Sequence, residues 1–171
     1  MRIRSFQDTD LPQLIDLTIE TFRPLFERHL PEAIGPEVLA HDHGDWENDY
    51  RREVPTLHDP EHDRFVVLAE EDARILAYVG WNIAASGSGR LEMVAVHPAA
   101  RRRGIGSALC REALDRLRHR GVPVVHIGTG GDAFHAPARR LYESLGFSGS
   151  PVVDYSKALW PFGASASDDL I

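Results

Sequence analysis

The sequence predicts one α/β domain: a central, mixed, mostly antiparallel and twisted sheet of six to seven strands, flanked by about four helices. Three observations carry this. RFVVLAEE (64–71), ARILAYVGWNIA (73–84) and RLEMVAVHP (90–98) are β-branched, apolar runs parted by short polar turns, the pattern of an antiparallel meander. From Gly104 the spacing changes, with Ile105, Leu109, Ala113 and Leu117 four apart, which is helical. No internal repeat or long linker divides the 171 residues, a length that suits one core.

Element by element, residues 2–6 read as a first strand. Asp8 or Asp10 then caps a helix whose apolar positions are Leu11, Ile15, Thr18 and Phe22, ending before Pro24. Residues 24–63 are rich in Pro, His and acids, with a helix expected near 36–53 and a turn around Pro55 to Pro60. After the meander, the helix from Gly104 stops at Gly121. A strand (VPVVHIGT, 122–129), a glycine turn, a helix from Phe134 to Leu145 closed by Gly146, and a last strand over Val152–Leu159 complete the domain. Its expected extent is 1–160, with 161–171 a loose tail.

Apolar residues make up 43% and charged residues 26%, a balance that excludes disordered and collagen-like chains. No apolar run approaches the roughly 18 residues that span a bilayer, and MRIRSFQDTD lacks the apolar core of a leader, so a cytoplasmic protein without a membrane partner is expected. Cys110 is the only cysteine, which forbids an internal disulfide and offers no thiolate metal site. The net charge of −7 argues against nucleic acid as a partner. Charge is also segregated: residues 41–63 carry eight acids against Arg51 and Arg52, whereas 101–120 carry seven arginines against Glu112 and Asp115. One face can meet an anion and another a cation.

VAVHPAARRRGIGSAL (94–109) is an anion trap. Helix-start N–H groups lack internal partners and sit at the positive end of the helix dipole. Gly104 and Gly106 let the backbone approach a ligand, and Arg101, Arg102 and Arg103 surround it with cations, so a pyrophosphate is the natural guest. The plain alternative is a tight turn with solvated arginines. A dinucleotide fingerprint would need glycine where Leu109 stands, and a P-loop would need its lysine.

Arg101, Gly104 and Gly106, preceded by Val96-His97-Pro98, match the motif Q/R-x-x-G-x-G/A after a strand ending in V-x-P. Ala138 to Phe147 match A-x-x-L-Y-x-x-x-G-F at each defined place. In both, the chain resembles the GCN5-related N-acetyltransferase (GNAT) superfamily, and the order of elements agrees from residue 2 to about 159. The resemblance implies acetyl-CoA as co-substrate, with no metal. It places the diphosphate on Arg101 to Ser107, Ile105 included. Met93 to Val96 would splay from the neighbouring strand to offer backbone groups of Val94, Ala95 and Val96 to the pantetheine arm. The Val94 N–H would face the thioester carbonyl. His135 and Ala138 would line that arm from the following helix; His135 stands where the family often has Asn, so that hydrogen bond is either kept by imidazole or lost. Tyr142 would protonate the departing thiolate, or else simply pack the helix. The resemblance also leaves room for a homodimer.

An ammonium cannot attack, so a base must take its proton. Glu92, alone among apolar neighbours, is the leading candidate, either directly or through water. The alternatives are Asp49, a histidine, or a mere surface charge at Glu92. Trp46, Asp49, Tyr50 and Trp81 are acceptor-binding candidates, since aromatic faces and carboxylates hold cationic amines; the other reading is an acidic helix with core aromatics. His97 reads as a surface or cap residue, His126 as a buried strand residue, and Asp132 as a helix cap or an acceptor contact. HDHGD (41–45) lacks a third metal ligand, and Cys110 reads as a small buried group. The expected activity is acetyl transfer to a primary amine of a small molecule or peptide, cationic in one reading; the alternative is a non-catalytic acyl-CoA sensor of the same fold.

Overall fold

Five strands lie side by side in one sheet in chain order: β1 (Arg2–Ser5), β2 (Arg64–Glu71), β3 (Arg74–Ile83), β4 (Gly89–Val96) and β5 (Val125–Ile127). The computed structural model describes residues 1–159. β1 to β4 pair antiparallel, and β5 joins β4 in parallel. A parallel join needs a crossover, supplied by α5 (Ile105–His119).

Both faces of the middle strands are covered, which is why β2 and β3 read as continuous apolar runs rather than alternating ones. On one face, Val67, Ala77, Val79 and Trp81 pack against the α5 stripe of Ile105, Leu109, Ala113 and Leu117. On the other, Val66, Leu68, Tyr78 and Ala95 meet Leu14 and Leu17 of α1 (Leu11–Pro24) with Val54 and Leu57. The buried Tyr78 hydroxyl is satisfied by Thr18, 2.6 Å away.

Three sequence expectations are corrected. α1 does not stop before Pro24. The helix includes that proline, and the chain runs on through a π turn over Leu25–His29, closed by Leu30 N–H on Leu25 O, before continuing as α2 (Leu30–Ile34). The helix expected near 36–53 is broken at Gly44-Asp45 into α3 (Pro36–His43) and α4 (Trp46–Glu53), so with α6 (Ala136–Ser144) the described residues hold six α-helices, not about four. Among the described residues the sheet has five strands, not six to seven, because Val152–Leu159 forms none. Val152 is 79% and Tyr155 93% exposed: the segment follows Pro151 and has no face to bury, so its β-branched residues gain nothing by pairing. The tail expected at 161–171 lies outside the described residues. No helix among those described is long and apolar enough to cross a membrane.

Candidate active site

The site begins with a break in the sheet. β4 pairs with β5 only through Gly89, Arg90 and Leu91. At the next residue β4 bulges: Gly80 of β3 faces Met93 and Trp81 faces Leu91, leaving Glu92 as the extra residue. A bulge bends its strand and re-aims a side chain. From there to Val96 the β5 side of β4 is unpaired among the described residues, and the gap opens as a cleft of about 650 Å³.

Glu92, Val94, Val96, Arg101 and Arg102 line it, as do Gly104, Ile105, Gly106 and Ser107 at the start of α5. His135, Ala138 and Tyr142 line it from α6 and the loop before it. Gly104 adopts the left-handed conformation (φ 76°) that turns the chain into α5 with no side-chain cap, so the first α5 N–H groups are left for a ligand. A Cβ on Gly106 would sit 3.4 Å from both Leu141 and Val96, which is how closely α5, α6 and β4 meet at this corner.

The arginines divide their work. Arg101 reaches across to the carbonyls of Val96 (3.4 Å) and Thr21 (3.3 Å), tying α1 to the end of β4. Arg103 turns away to make a paired contact with Glu71, 3.0 Å to each oxygen. Arg102 stays at the cleft, in a left-handed backbone conformation (φ 66°), and is joined by Arg140 of α6, a cation that no motif of the sequence singles out.

Tyr142 is 9% exposed and stands edge-on to Phe147, with ring centroids 6.2 Å apart. Burial raises its phenol pKa above the ordinary value, with Cys110 adding to the effect, so the hydroxyl stays protonated and able to donate. Glu92 accepts from the Asn82 side chain at 2.7 Å, and its other oxygen lies 3.0 Å from Arg64 Nη2, outside hydrogen-bond alignment. His135 presents a fixed imidazole, its Nδ1 2.6 Å from Asp132, whose other oxygen accepts the His135 backbone N–H at 3.1 Å. Burial alone would raise the Asp132 carboxyl; these bonds outweigh it and hold the group below its usual value.

Several predicted residues stand elsewhere. Ala95 has only its backbone, the group expected of it, left for a ligand, since its side chain is fully buried on the α1 face. Trp81 is fully buried in the α5 core, stacked on Phe65 at 4.6 Å. Trp46 stacks on Phe26 at 4.6 Å, and Asp49 pairs with Arg52 at the surface; of the four acceptor candidates only Tyr50 reaches the cleft. His97 caps the turn after β4, accepting from Ala99 N–H at 3.2 Å. His126 is exposed rather than buried, because β5 is an edge strand and this side chain points away from the α5 core. Cys110 is buried, its thiol pushed up to about 12 by that burial. Among the described residues no group of three or more His, Cys, Asp or Glu side chains is placed to hold a metal.

The cleft also gathers residues the sequence did not mark. Phe22 stacks on Tyr50 at 5.4 Å and touches Phe134 at 6.2 Å, and Glu53 arrives from the end of α4. Phe22 was legible only as part of the α1 apolar stripe. Glu53 was one acid among eight in 41–63, and no motif singles it out.

Residues 13–147 match the acetyltransferase (GNAT) family model. The chain belongs to this family. GNAT relatives include the mycothiol acetyltransferase of Thermomonospora curvata, 33% identical over 153 residues that cover 85% of this chain and 50% of that protein. The mycothiol acetyltransferase of Acidothermus cellulolyticus is 35% identical over 152 residues, 77% of this chain and 45% of that one. The chain thus spans about half the length of these curated relatives. Two solved structures show the same GNAT fold. The aminoglycoside 6'-N-acetyltransferase of Acinetobacter haemolyticus has a TM-score of 0.64 at 21% identity, covering 93% of this chain and 99% of that one. A GNAT acetyltransferase of Brucella melitensis in complex with acetyl-CoA has a TM-score of 0.62 at 23% identity, covering 86% and 82%.

Proposed function

We propose that residues 1–160 form an N-acetyltransferase domain that moves the acetyl group of acetyl-CoA to a primary amine of a small molecule or peptide, both substrates being bound together. The observation that carries the reading is the parting of β4 from β5 at the Glu92 bulge. It leaves one strand edge free for an extended, amide-bearing arm, as an added strand would be held. From Glu92 to Val96 that edge runs about 13 Å, at roughly 3.3 Å per residue. The arginine-flanked start of α5 lies at its far end, suited to a diphosphate, and carboxylates lie at its near end.

The chain's residues then have distinct tasks. The α5 N–H groups and Arg102 hold the diphosphate, and the β4 backbone from Val94 to Val96 fixes the arm. The Val94 N–H stabilises the oxyanion as the amine nitrogen bonds to the thioester carbon. Glu92, steadied by Asn82 and Arg64, takes the proton from the amine, directly or through water. Tyr142 gives its proton to the sulfur as the C–S bond breaks and the amide is left. Holding amine and thioester together supplies most of the rate, since a thioester is already reactive.

The test is thiol release from acetyl-CoA across aminoglycosides, polyamines, amino acids, peptides and the acceptor of the mycothiol acetyltransferases, with the mass of the product measured. A gain of one acetyl group on an amine supports the reading. Absence of both thiol release and coenzyme A binding defeats it, and binding without turnover points to a sensor instead.

A further inference from the structure

We propose that Glu53 makes this domain select acceptors that carry a second positive charge beside the reacting amine, such as diamines; this rests on the acetyl-transfer reading above. Three elements close one end of the cleft: Phe22 from α1, Tyr50 and Glu53 from α4, and Phe134 from the loop before α6, with Glu92 on the strand between them. Three aromatic rings and two carboxylates form a cage for cationic nitrogen.

Charge decides how many cations the cage takes. Glu92 is committed to Asn82 and lies 3.0 Å from Arg64. Arg64 in turn spends its Nε on the Thr56 carbonyl at 2.6 Å, so it is fixed in place. Glu53 makes no ion pair among the described residues. Its carboxyl is raised above the usual range, first by partial burial and then by repulsion from Glu92; Arg64 opposes the rise and Asp49 adds to it. Two acids against one arginine leave the cage one negative charge in excess. An acceptor that enters with its attacking amine as the free base adds no charge to the cage, whereas a second ammonium on the same molecule cancels the excess beside Glu53. It also relieves the repulsion between the carboxylates, so binding and charge balance favour the same ligand.

Thiol release from acetyl-CoA is compared for 1,4-diaminobutane, n-butylamine and 4-aminobutan-1-ol, matched in chain length. The expected result is a kcat/KM for the diamine about threefold above both others, the size of an ion pair to a carboxylate that is open to solvent. Glu53→Gln should collapse that ratio toward one, with Glu53→Asp between the two and the KM for acetyl-CoA unmoved in both. A wild-type ratio near one overturns the proposal, as does a Glu53→Gln enzyme that loses all three acceptors in equal proportion, which would mark a proton-transfer or structural role. If no amine turns over, the acetyl-transfer reading itself is in question. Calorimetric titration of the diamine against n-butylamine then reads the same preference, and equal affinities defeat it.

Discussion

The Asn82 side chain on β3 donates to the Glu92 carboxylate on β4 across 2.7 Å, beside the bulge that makes Glu92 the unmatched residue of its strand. An exposed carboxylate in a regular strand would sample several rotamers. This one is steered by a neighbour strand, with its second oxygen buried near Arg64. The bulge and the amide together determine where the carboxylate sits relative to the open edge of β4.

Glu92→Gln should therefore lower kcat by about 10²-fold, at the lower end for loss of a proton acceptor because water offers a bypass. Asn82→Ala keeps the carboxylate but frees it, and should cost about tenfold in kcat, since positioning matters at the ångström scale. In both, the KM for acetyl-CoA should stay within about twofold of wild type, because neither side chain belongs to the corner proposed for the donor. Steady-state kinetics with varied donor decides it; a rise in donor KM with intact kcat would mean that the bulge serves binding instead.

Tyr142→Phe should lower kcat by about ten- to a hundredfold while coenzyme A affinity is kept, because the ring still packs against Phe147 and only the donated proton is lost. Burial holds the phenol protonated, so no loss of wild-type activity on the basic side up to about pH 9 should arise from this residue. A Tyr142→Phe enzyme of full activity would leave the thiolate to find its proton in solvent.

Much of this was readable in the chain, and the exceptions share a cause. The meander, α5 and α6 rest on local periodicity and glycine stops, and they occur where the pattern placed them. The turn from Arg101 to Ser107 could be found because its chemistry is contiguous in sequence. The aromatic end of the cleft could not, because Phe22, Tyr50, Glu53 and Phe134 come from three separate segments and meet only when α1 and α4 fold over the sheet. Trp81 misled for the opposite reason. It is aromatic and next to the bulge, but alternation along β3 turns it into the α5 core, a matter of register that composition does not reveal. The strand expected over Val152–Leu159 reflected β-branched composition alone, which does not supply a partner.

Gly130 sets the geometry of the loop before α6. A Cβ there would lie 2.3 Å from an Asp132 oxygen and 2.5 Å from His135 Nδ1, so no side chain fits while that pair is intact. Gly130→Ala should separate Asp132 from His135 and release the imidazole from the cleft wall. Expected outcomes are a destabilisation of about 1–3 kcal/mol, as for other overpacked sites, and a several-fold higher KM for acetyl-CoA. Asp132→Asn, which keeps the volume but weakens the hold on the ring, should reproduce the KM effect with less loss of stability. Equal donor KM in wild type and both variants would remove His135 from the donor site.

Asp8 or Asp10 was expected to cap the first helix; Asp10 stands at the α1 N-cap, but its carboxylate accepts from the Gln7 N–H at 2.8 Å and from Arg4 at 2.7 and 2.8 Å rather than from α1, clamping the start of that helix to β1. Hydrogen bonds from Arg4 lower its pKa below the ordinary 3.8, burial works against them, and the Gln7 bond assists. A carboxyl lowered in the folded state binds its proton more readily when unfolded. Its contribution is therefore complete above the unfolded value and is lost as pH falls through the folded one. Asp10→Asn should cost about 1.5–3 kcal/mol near neutrality, the worth of a hydrogen bond to a charged group, and Glu70 remains to pair with Arg4. Thermal melts from about pH 6 down to about pH 2 should show the gap between wild type and Asp10→Asn narrowing as the acid limb is crossed. Melting curves that stay parallel throughout would mean that Arg4 and Asp10 are held together by packing rather than by charge.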